Sequence, residues 1–399
     1  MDINAGAFDP RAPEFRANPY PTYDLLRAAA PVLYWDVWGV WFLSRYDDCS
    51  TLLRDGRLGH AEIEGEPPEQ QRALFEMQRR WMLVRNPPDH TRLRSLVHKA
   101  FTPRVVEQMR SRIQTITDGL LDRMVGAGLA DLIADLAYPL PVTVIAELLG
   151  IPANDHAQFH TWSNDLARSL DLTDDPAVYN QAARAAIAMT EYLRAIIAQR
   201  RRQPQDDLLS ALIAAEEGGG RLSEDELYAT CALLLIAGHE TTINLIGNGV
   251  LALLRNPDQL RRLHQNPEMI KAAIEELLRY DSPVQVTFRV ALENLEIRNQ
   301  KIQAGQQVAF LLGAANHDPE RFAEPHMLDI SRDPNPHLAF SQGIHYCLGA
   351  PLARLEGQIA ISTLLRRLPE LALARETLEY RDNYTLRGLR RLPVTFRAT

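Results

Sequence analysis

The feature that most constrains the fold is a long helical pattern in the second half of the chain. Ser223-Glu-Asp-Glu226 has the form of a capping box, in which a serine begins a helix and a glutamate closes its first turn. No proline interrupts the pattern until Asn256-Pro257. A helix over residues 224–255 is roughly 48 Å long at 1.5 Å per residue. Such a helix crosses a whole domain, so we expect its middle to be buried.

The middle of this helix carries polar residues where core residues are expected. The run Leu233-Leu-Leu-Ile-Ala-Gly238 gives way to His239-Glu-Thr-Thr242. Burying one such group without a partner costs about 1 to 3 kcal/mol, and more for a charge. These side chains therefore either bond to preceding carbonyl groups of the helix or serve a functional site at its centre.

Most of the remaining chain has the three- and four-residue spacing of apolar residues that is typical of helices. Strand-like composition is confined to residues 32–43, which predict a hairpin, and to residues 288–312 and 392–397. The predicted fold class is mainly α with a minor β part. No linker or repeat divides the chain, and the polar stretch at residues 216–220 is short enough to join two helices, so we expect a single domain over residues 1–399.

The overall charge restricts the partners. A formal net charge of -8 at pH 7 gives no general attraction to phosphate backbones or anionic lipid, so nucleic acid is not an expected partner. The first ten residues lack the basic and apolar regions of a signal peptide, and the apolar run at residues 231–238 is far below the roughly 20 residues that span a bilayer. We expect no membrane association and a cytoplasmic location.

Cys347 is the cysteine in a context suited to metal ligation. The three cysteines, Cys49, Cys231 and Cys347, are too few and too scattered for a disulfide framework or a four-thiolate zinc site. Cys347 stands at the entry to a predicted helix, where the positive helix end favours a thiolate, and Gly343 and Gly349 permit a tight backbone around it. A zinc site that uses His345 and Cys347 lacks a convincing second pair of ligands.

The segment around Cys347 resembles the cysteine loop of the cytochrome P-450 family, F-x-x-G-x-H-x-C-x-G. Phe340, Gly343, His345, Cys347 and Gly349 occupy the fixed positions of that pattern. Ser341 departs from it, because many members have glycine there.

Further motifs extend this resemblance along nearly the whole chain, which is most similar to soluble bacterial members. Glu276-Leu-Leu-Arg279 matches the E-x-x-R helix motif, and Asn316-His-Asp-Pro319, Phe322 and Arg332 follow in the expected order. The outermost matching segments are Asn18-Pro-Tyr-Pro near the start and Arg387-Gly-Leu near the end.

The resemblance implies a cytochrome P-450 fold in which haem b lies between the long helix and the cysteine loop, with the Cys347 thiolate as axial ligand to iron. The other cofactor-binding residues that it implies are His90, Arg94, Ala237, Gly238, Arg289, Phe340, His345 and Gly349, of which His90, Arg94, Arg289 and His345 contact the propionates. Glu276, Arg279 and Arg332 are expected to form a buried structural network that holds the cysteine loop.

The implied activity is that of a monooxygenase, which inserts one oxygen atom of dioxygen into a lipophilic substrate. Glu240 and Thr241 match the family's acid–alcohol pair, which delivers protons during oxygen cleavage. The chain has no flavin- or nicotinamide-binding segment, so the resemblance implies a ferredoxin and its NAD(P)H-dependent reductase as electron donors. A basic surface including Arg92, Arg104, Arg110 and Arg354 is a candidate ferredoxin-docking site.

The family places several mostly apolar segments around the haem. The expected substrate-pocket residues are Trp81, Met82, Leu83, Leu234, Val284, Val286, Thr287 and Leu386. They favour a medium or large lipophilic substrate, although any core has similar apolar residues. Two alternatives stay open. A peroxygenase driven by peroxide would share the fold, and a non-catalytic haem sensor or carrier would need only Cys347.

Overall fold

The computed structural model describes residues 9–398 except 11, 62–65, 99–100, 172, 174, 206 and 218–221. The expected junction at residues 216–220 therefore falls largely outside the described residues. The helices are α1 Pro13–Ala17, α2 Tyr20–Ala29, α3 Tyr46–Leu52, α4 Arg72–Gln78, α5 Asp89–His98, α6 Pro103–Gln108, α7 Arg110–Asp122, α8 Pro139–Leu148, α9 His156–Arg168, α10 Pro176–Arg202, α11 Leu208–Glu217, α12 Glu224–Arg255, α13 Pro257–Gln265, α14 Ile270–Tyr280, α15 Leu312–Ala315 and α16 Ala350–Arg367. The strands are β1 Val32–Trp35, β2 Val40–Leu43, β3 Leu58–Gly59, β4 Leu129–Asp131, β5 Val286–Ala291, β6 Leu295–Ile297, β7 Gln300–Ile302, β8 Gln307–Leu311, β9 Ala372–Leu373 and β10 Pro393–Thr395.

The long helix α12 has the bounds that the sequence predicts. The capping box forms in both directions, since the Glu226 carboxylate accepts from the Ser223 backbone N–H at 2.8 Å and the Ser223 hydroxyl accepts from the Glu226 N–H at 3.2 Å. By length and composition alone α12 could cross a membrane, but 83% of its apolar window is buried inside the protein. Burial to this extent is that of a core helix.

The chain divides into two compact units. The first unit comprises Met1–Gly59, Gln114–Ala137 and Thr241–Thr399, and the second comprises His60–Ile113 and Tyr138–Glu240. The division falls within α12, between Glu240 and Thr241. The expectation of one domain remains a prediction.

The first unit contains the sheets, and its strands confirm the predicted minor β part. The order of the largest sheet is β1-β2-β8-β5-β3, with β2 and β8 parallel and the other neighbouring strands antiparallel. The predicted hairpin is present, with Val32 opposite Leu43 and a turn that places Gly39 at φ +65°. The predicted C-terminal strand is β10, which lies between β4 and β9. Apolar side chains of β1, β2, β5 and β8 form a core with α3 and α15.

The second unit is built mainly of helices. In it α10 packs against α9, α4 and α11, and its small buried residues, such as Ala182 and Ala186, allow close packing. Asp175 caps α10 by accepting from the Ala177 backbone N–H at 2.8 Å. The first half of α12, including Leu227 and Leu235, is buried in this unit.

Candidate active site

The cysteine loop is a tight irregular segment that leads into α16. The Cys347 backbone N–H donates to the Phe340 carbonyl at 3.0 Å, which closes the loop on itself. A short 3-10 turn, Gly343–His345, lies inside the loop, and Gly349 is the N-cap of α16. Cys347 is partly exposed and lies just before the N-terminus of α16, whose backbone N–H groups favour negative charge.

Two residues of this loop adopt left-handed backbone conformations. Gly343 has φ +71°, and a Cβ atom there would lie 2.4 Å from the Leu53 carbonyl oxygen, so both the conformation and the close approach require glycine. Ser341, the departure from the family pattern, has φ +59°. Its buried hydroxyl oxygen has no hydrogen-bond partner among the described residues. The serine therefore adopts a conformation that glycine would adopt at lower cost.

The other two cysteines have surroundings that oppose a thiolate. Burial raises the pKa of Cys49 well above its usual value, with a further increase from nearby Asp48. Burial alone raises the pKa of Cys231 to about 12. Both thiols therefore remain protonated near neutral pH, whereas a metal ligand must be a thiolate. No cluster of three or more His, Cys, Asp or Glu side chains that could hold a metal ion occurs in the described part of the chain.

Arg289 on β5 provides a test of whether an anionic cofactor fits. The residue is 5% exposed, and its Nη1 donates to the Phe288 carbonyl at 2.6 Å and to the Thr287 hydroxyl at 3.2 Å. Burial lowers the pKa of Arg289 to about 10, and no carboxylate of a described residue forms an ion pair with it. A buried cation without a counter-ion is costly, so a bound anion would stabilise it. A haem propionate is such an anion.

The E-x-x-R motif forms the most deeply buried ion pair of the first unit. Glu276 and Arg279 are both 0% exposed, and two parallel hydrogen bonds of 2.8 Å join them. Arg332 donates to Glu276 at 3.1 Å. Arg279 also donates to the carbonyl groups of Asn316 and Pro325, at 2.9 and 2.8 Å. The network thus links α14 to the segments that precede the cysteine loop.

A second charged cluster, which the sequence did not indicate, lies directly against the cysteine loop. Glu275 accepts two hydrogen bonds from Arg354, at 2.7 and 2.8 Å, and lies 3.1 Å from His337. The Arg354 guanidinium stacks over the Phe340 ring at 4.5 Å and donates to the Tyr346 hydroxyl at 3.2 Å. The sequence signal for this cluster is the dipeptide Glu275-Glu276, because two consecutive carboxylates on one helix can pair with two different partners.

The expected pocket residues of the first unit come from two segments that pair with each other. Val284 and Leu386 form an antiparallel bridge, and the Gln285 N–H donates to the Thr385 carbonyl at 2.9 Å. Val286 is buried. Thr287 is partly buried, and its hydroxyl accepts the hydrogen bond from Arg289.

In the second unit, His90 and Arg94 lie one turn apart on α5, and His90 is buried. Trp81 is fully buried just before a short turn, Met82–Val84, in which Leu83 is 40% exposed. Leu234 is buried on α12. The assignment of these residues to the substrate pocket stays a prediction.

Gly238, an expected cofactor contact together with Ala237, also packs against α8. Ala237 is exposed and Gly238 is partly exposed. A Cβ atom at Gly238 would lie 2.9 Å from the Ile145 side chain. The absence of a side chain there is therefore needed for the close approach of α8 to α12. The assignment of Ala237 and Gly238 to the cofactor stays a prediction.

The polar centre of α12 is buried. His239 is 1% exposed and bonds to the preceding turn, with its Nδ1 atom 2.6 Å from the Leu235 carbonyl. Glu240 is 6% exposed and Thr242 is 2% exposed, whereas Thr241 is partly buried. Glu240 and Thr241 are thus consecutive on a core helix.

The expected basic docking surface stays a prediction, and most of its arginines are paired with carboxylates. Arg92 binds Glu226 at 2.5 Å, Arg110 binds Glu107, and Arg354 binds Glu275. Ion pairing weakens the attraction of these arginines for an acidic partner. Arg104 is exposed on α6.

Comparisons with known proteins agree with these features. A sequence model described as Cytochrome P450 matches residues 40–377. Cytochrome P450 monooxygenase PikC from Streptomyces venezuelae is 45% identical over 395 residues, which cover 96% of this chain and 92% of the relative. Vitamin D(3) 25-hydroxylase from Pseudonocardia autotrophica is 45% identical over 387 residues, which cover 96% and 94%. The crystal structure of P450BioI in complex with hexadec-9Z-enoic acid ligated acyl carrier protein matches with a TM-score of 0.92 at 43% identity, covering 96% of this chain and 99% of that chain.

The fold and the cysteine loop define a haem-thiolate oxidoreductase. This chain belongs to the cytochrome P450 family. It is a monooxygenase of that family, whose cofactor is iron protoporphyrin IX with an axial cysteine thiolate.

Proposed function

We propose that Cys347 is the axial ligand and that the enzyme oxygenates a lipophilic substrate. The observation that carries this proposal is the contrast among the cysteines, since burial opposes a thiolate at Cys49 and Cys231 whereas Cys347 lies at a helix N-terminus. When bound, the haem supplies the chemistry that inserts one oxygen atom of dioxygen into the substrate and reduces the other to water.

Arg289 and His345 of the first unit are proposed to hold propionate oxygens. The buried guanidinium of Arg289, which has no described carboxylate partner, supports the first assignment. His90 and Arg94 of the second unit are proposed propionate contacts by resemblance. Phe340, Gly349 and Ala237 are proposed to lie against the cofactor.

Glu240 and Thr241 are proposed as the acid and the alcohol that deliver protons for oxygen cleavage. A carboxyl group that is 6% exposed on a core helix can exchange protons with few other groups, which supports its assignment to a relay. The Thr241 hydroxyl would pass the proton on and would hold it at the site of reaction.

The substrate is proposed to be a medium or large lipophilic molecule. The mostly apolar residues at the expected pocket positions support this class, as do the names of two relatives, one a vitamin D(3) hydroxylase and one bound to a fatty-acyl carrier protein. We propose that a ferredoxin and its NAD(P)H-dependent reductase supply electrons in the cytoplasm.

The substrate class is tested by binding. Free hexadec-9-enoic acid and the same acid linked to a carrier protein are compared by how far each shifts the haem iron to high spin.

Carbon monoxide binding to the reduced protein tests the ligand. Cys347→His is expected to abolish the red-shifted Soret band of a thiolate ligand, while Cys49→Ser and Cys231→Ser keep it. Retention of the band in Cys347→His would contradict the assignment.

Thr241→Ala tests the monooxygenase reaction. The variant removes one hydroxyl from α12 and leaves the neighbouring carboxyl group, so substrate binding and consumption of reduced nicotinamide are expected to continue. Product per electron pair falls, and hydrogen peroxide release rises. Glu240→Gln is instead expected to slow the whole cycle about 10²-fold or more, because it removes the acid.

If Thr241→Ala keeps the wild-type yield of product per electron pair and releases no more hydrogen peroxide than the wild type, Thr241 is not the alcohol. Turnover on peroxide alone at the same rate as with reduced nicotinamide and a surrogate ferredoxin system would indicate a peroxygenase. If the protein binds haem but oxidises none of the lipophilic compounds that shift its iron to high spin, with either electron source, it is a sensor or carrier.

A further inference from the structure

The buried histidine next to Glu240 is not used by the proposed relay. We propose that His239 is a positioning residue for proton delivery: it shares one proton with Glu240 and returns a proton to that carboxylate after each release. This proposal rests on the assignment of Glu240 as the acid and deepens it.

The hydrogen bond at one ring nitrogen fixes which nitrogen of His239 can exchange a proton. Nδ1 lies 2.6 Å from the Leu235 carbonyl oxygen. A carbonyl oxygen can only accept, so Nδ1 must carry a hydrogen in every protonation state that keeps this bond. Nε2 is therefore the nitrogen that gains or loses a proton.

Two oxygen atoms face Nε2. The Ser163 hydroxyl oxygen on α9 lies at 3.4 Å, and Oε2 of Glu240 lies at 3.8 Å. The same serine hydroxyl donates to the His160 carbonyl at 3.1 Å, which leaves its oxygen able to accept from Nε2. A protonated His239 thus has an acceptor near each ring nitrogen. The separation from Glu240 is longer than a direct hydrogen bond, so transfer takes place on closer approach or through one water.

Burial explains why the two groups would share a proton. His239 and Glu240 are 1% and 6% exposed, so an isolated charge on either is costly. One shared proton makes the pair neutral overall, either as imidazole with carboxyl or as imidazolium with carboxylate. When that proton leaves through Glu240, a single buried negative charge remains. The pair then takes up a replacement proton readily, which resets the acid.

A partly exposed histidine marks the side from which the proton returns. His160 lies one turn before Ser163 on α9, and its ring centroid is 6.2 Å from that of His239. The His160 ring packs edge-on against Tyr138 at 4.1 Å. His160 and Tyr138, both of the second unit, are thus titratable side chains close to His239 and Glu240.

The test uses the haem-loaded protein as its reduced carbon monoxide complex. Infrared difference spectra detect the C=O stretch of a buried protonated carboxyl group, and Glu240→Gln identifies the band of Glu240 by its loss. His239→Asn is the informative variant. Its side-chain amide can still donate to the Leu235 carbonyl, but it cannot titrate. His239→Phe removes both functions and keeps the ring.

An imidazolium neighbour favours the carboxylate, so its removal favours the carboxyl form. We therefore expect the Glu240 carboxyl band to be stronger in both His239 variants than in the wild type at the same pH. Nicotinamide-driven oxygen consumption is expected to fall about tenfold or more in both, with a steeper loss as pH rises. Ser163→Ala is expected to change the band less.

A Glu240 carboxyl band of wild-type intensity in His239→Asn, or wild-type oxygen consumption in that variant, would overturn the proposal of a shared proton. If the carboxyl band and the oxygen consumption are those of the wild type in His239→Asn but not in His239→Phe, the His239 ring serves only to bond to the helix. The thiolate Soret band is recorded in the same samples. Its absence would count against the Cys347 assignment, whereas its presence with an unaltered carboxyl band would count against the His239 proposal alone.

Discussion

Glu276→Gln is the most direct test of the network that is proposed to hold the cysteine loop. The Glu276 carboxylate is fully buried and accepts from four groups: Arg279, Arg332, the Asn335 amide and the Asp329 backbone N–H. Glutamine keeps the shape but replaces one oxygen by an NH₂ group. That group would face hydrogen-bond donors, and the Arg279 guanidinium would lose its counter-ion.

The expected magnitude follows from this burial. Removing one partner of a fully buried pair costs about 3 to 5 kcal/mol, which is a large part of the roughly 5 to 15 kcal/mol that stabilises a folded domain. We expect Glu276→Gln to lower the thermal midpoint sharply and to reduce haem bound per protein, measured by circular dichroism and by Soret absorbance. Haem is lost because Arg279 also orders the carbonyl groups of Asn316 and Pro325 before the loop.

The control is Asp258→Asn, which breaks a pair of the same i, i+3 spacing in a different environment. Asp258 and Arg261 on α13 are 81% and 68% exposed. Such a pair contributes only about 0.2 to 0.5 kcal/mol, so haem content and thermal midpoint should be unchanged. Near-wild-type haem content and stability in Glu276→Gln, equal to those of the control, would refute the argument from burial.

Two further predictions concern the surroundings of Cys347. Ser341→Gly is expected to raise the free energy of unfolding by about 1 kcal/mol, because it relieves a left-handed serine, and a lower denaturation midpoint would contradict this. Burial raises the pKa of Glu275, but hydrogen bonds and charge from His337 and Arg354 outweigh it and lower the pKa from its usual 4.5 to about 2. This group therefore stabilises the folded state above pH 4.5, and the contribution is lost as pH falls toward 2. Glu275→Gln should thus show a weaker loss of stability over that pH range in acid unfolding, and an unchanged acid profile would refute the pairing.

The features that could be predicted from the sequence are those that depend on neighbouring residues. The capping box and the unbroken apolar pattern specify α12 within a single segment, and Gly39 allows the turn of the first hairpin. The cysteine loop and the E-x-x-R motif were recognisable because each is a fixed local spacing. Their burial was also predictable in part, since the Glu276–Arg279 pair has i, i+3 spacing on a helix whose other residues are mostly apolar.

The features that were missed depend on contacts between distant segments. Arg354 was interpreted as a surface cation, because a helical pattern does not show which side chain of another helix it meets. Its partner Glu275 is 79 residues away in sequence. The close approach of Gly238 to Ile145 is likewise not evident from the sequence, because Ile145 belongs to a helix nearly a hundred residues earlier. Spacing alone gives the residue type at a position but not what it packs against.

The two ends of the family resemblance meet in one buried network of the first unit. Asp281 accepts from the Tyr20 hydroxyl and from Arg387, both at 2.7 Å, and Arg387 also donates to the Ala17 carbonyl at 3.0 Å. Arg387 directly follows Leu386, which pairs with Val284. The N-terminal segment thus supports the two paired segments that carry Val284 and Leu386. This linkage explains why the resemblance extends to both ends of the chain, although neither end contributes a proposed catalytic residue.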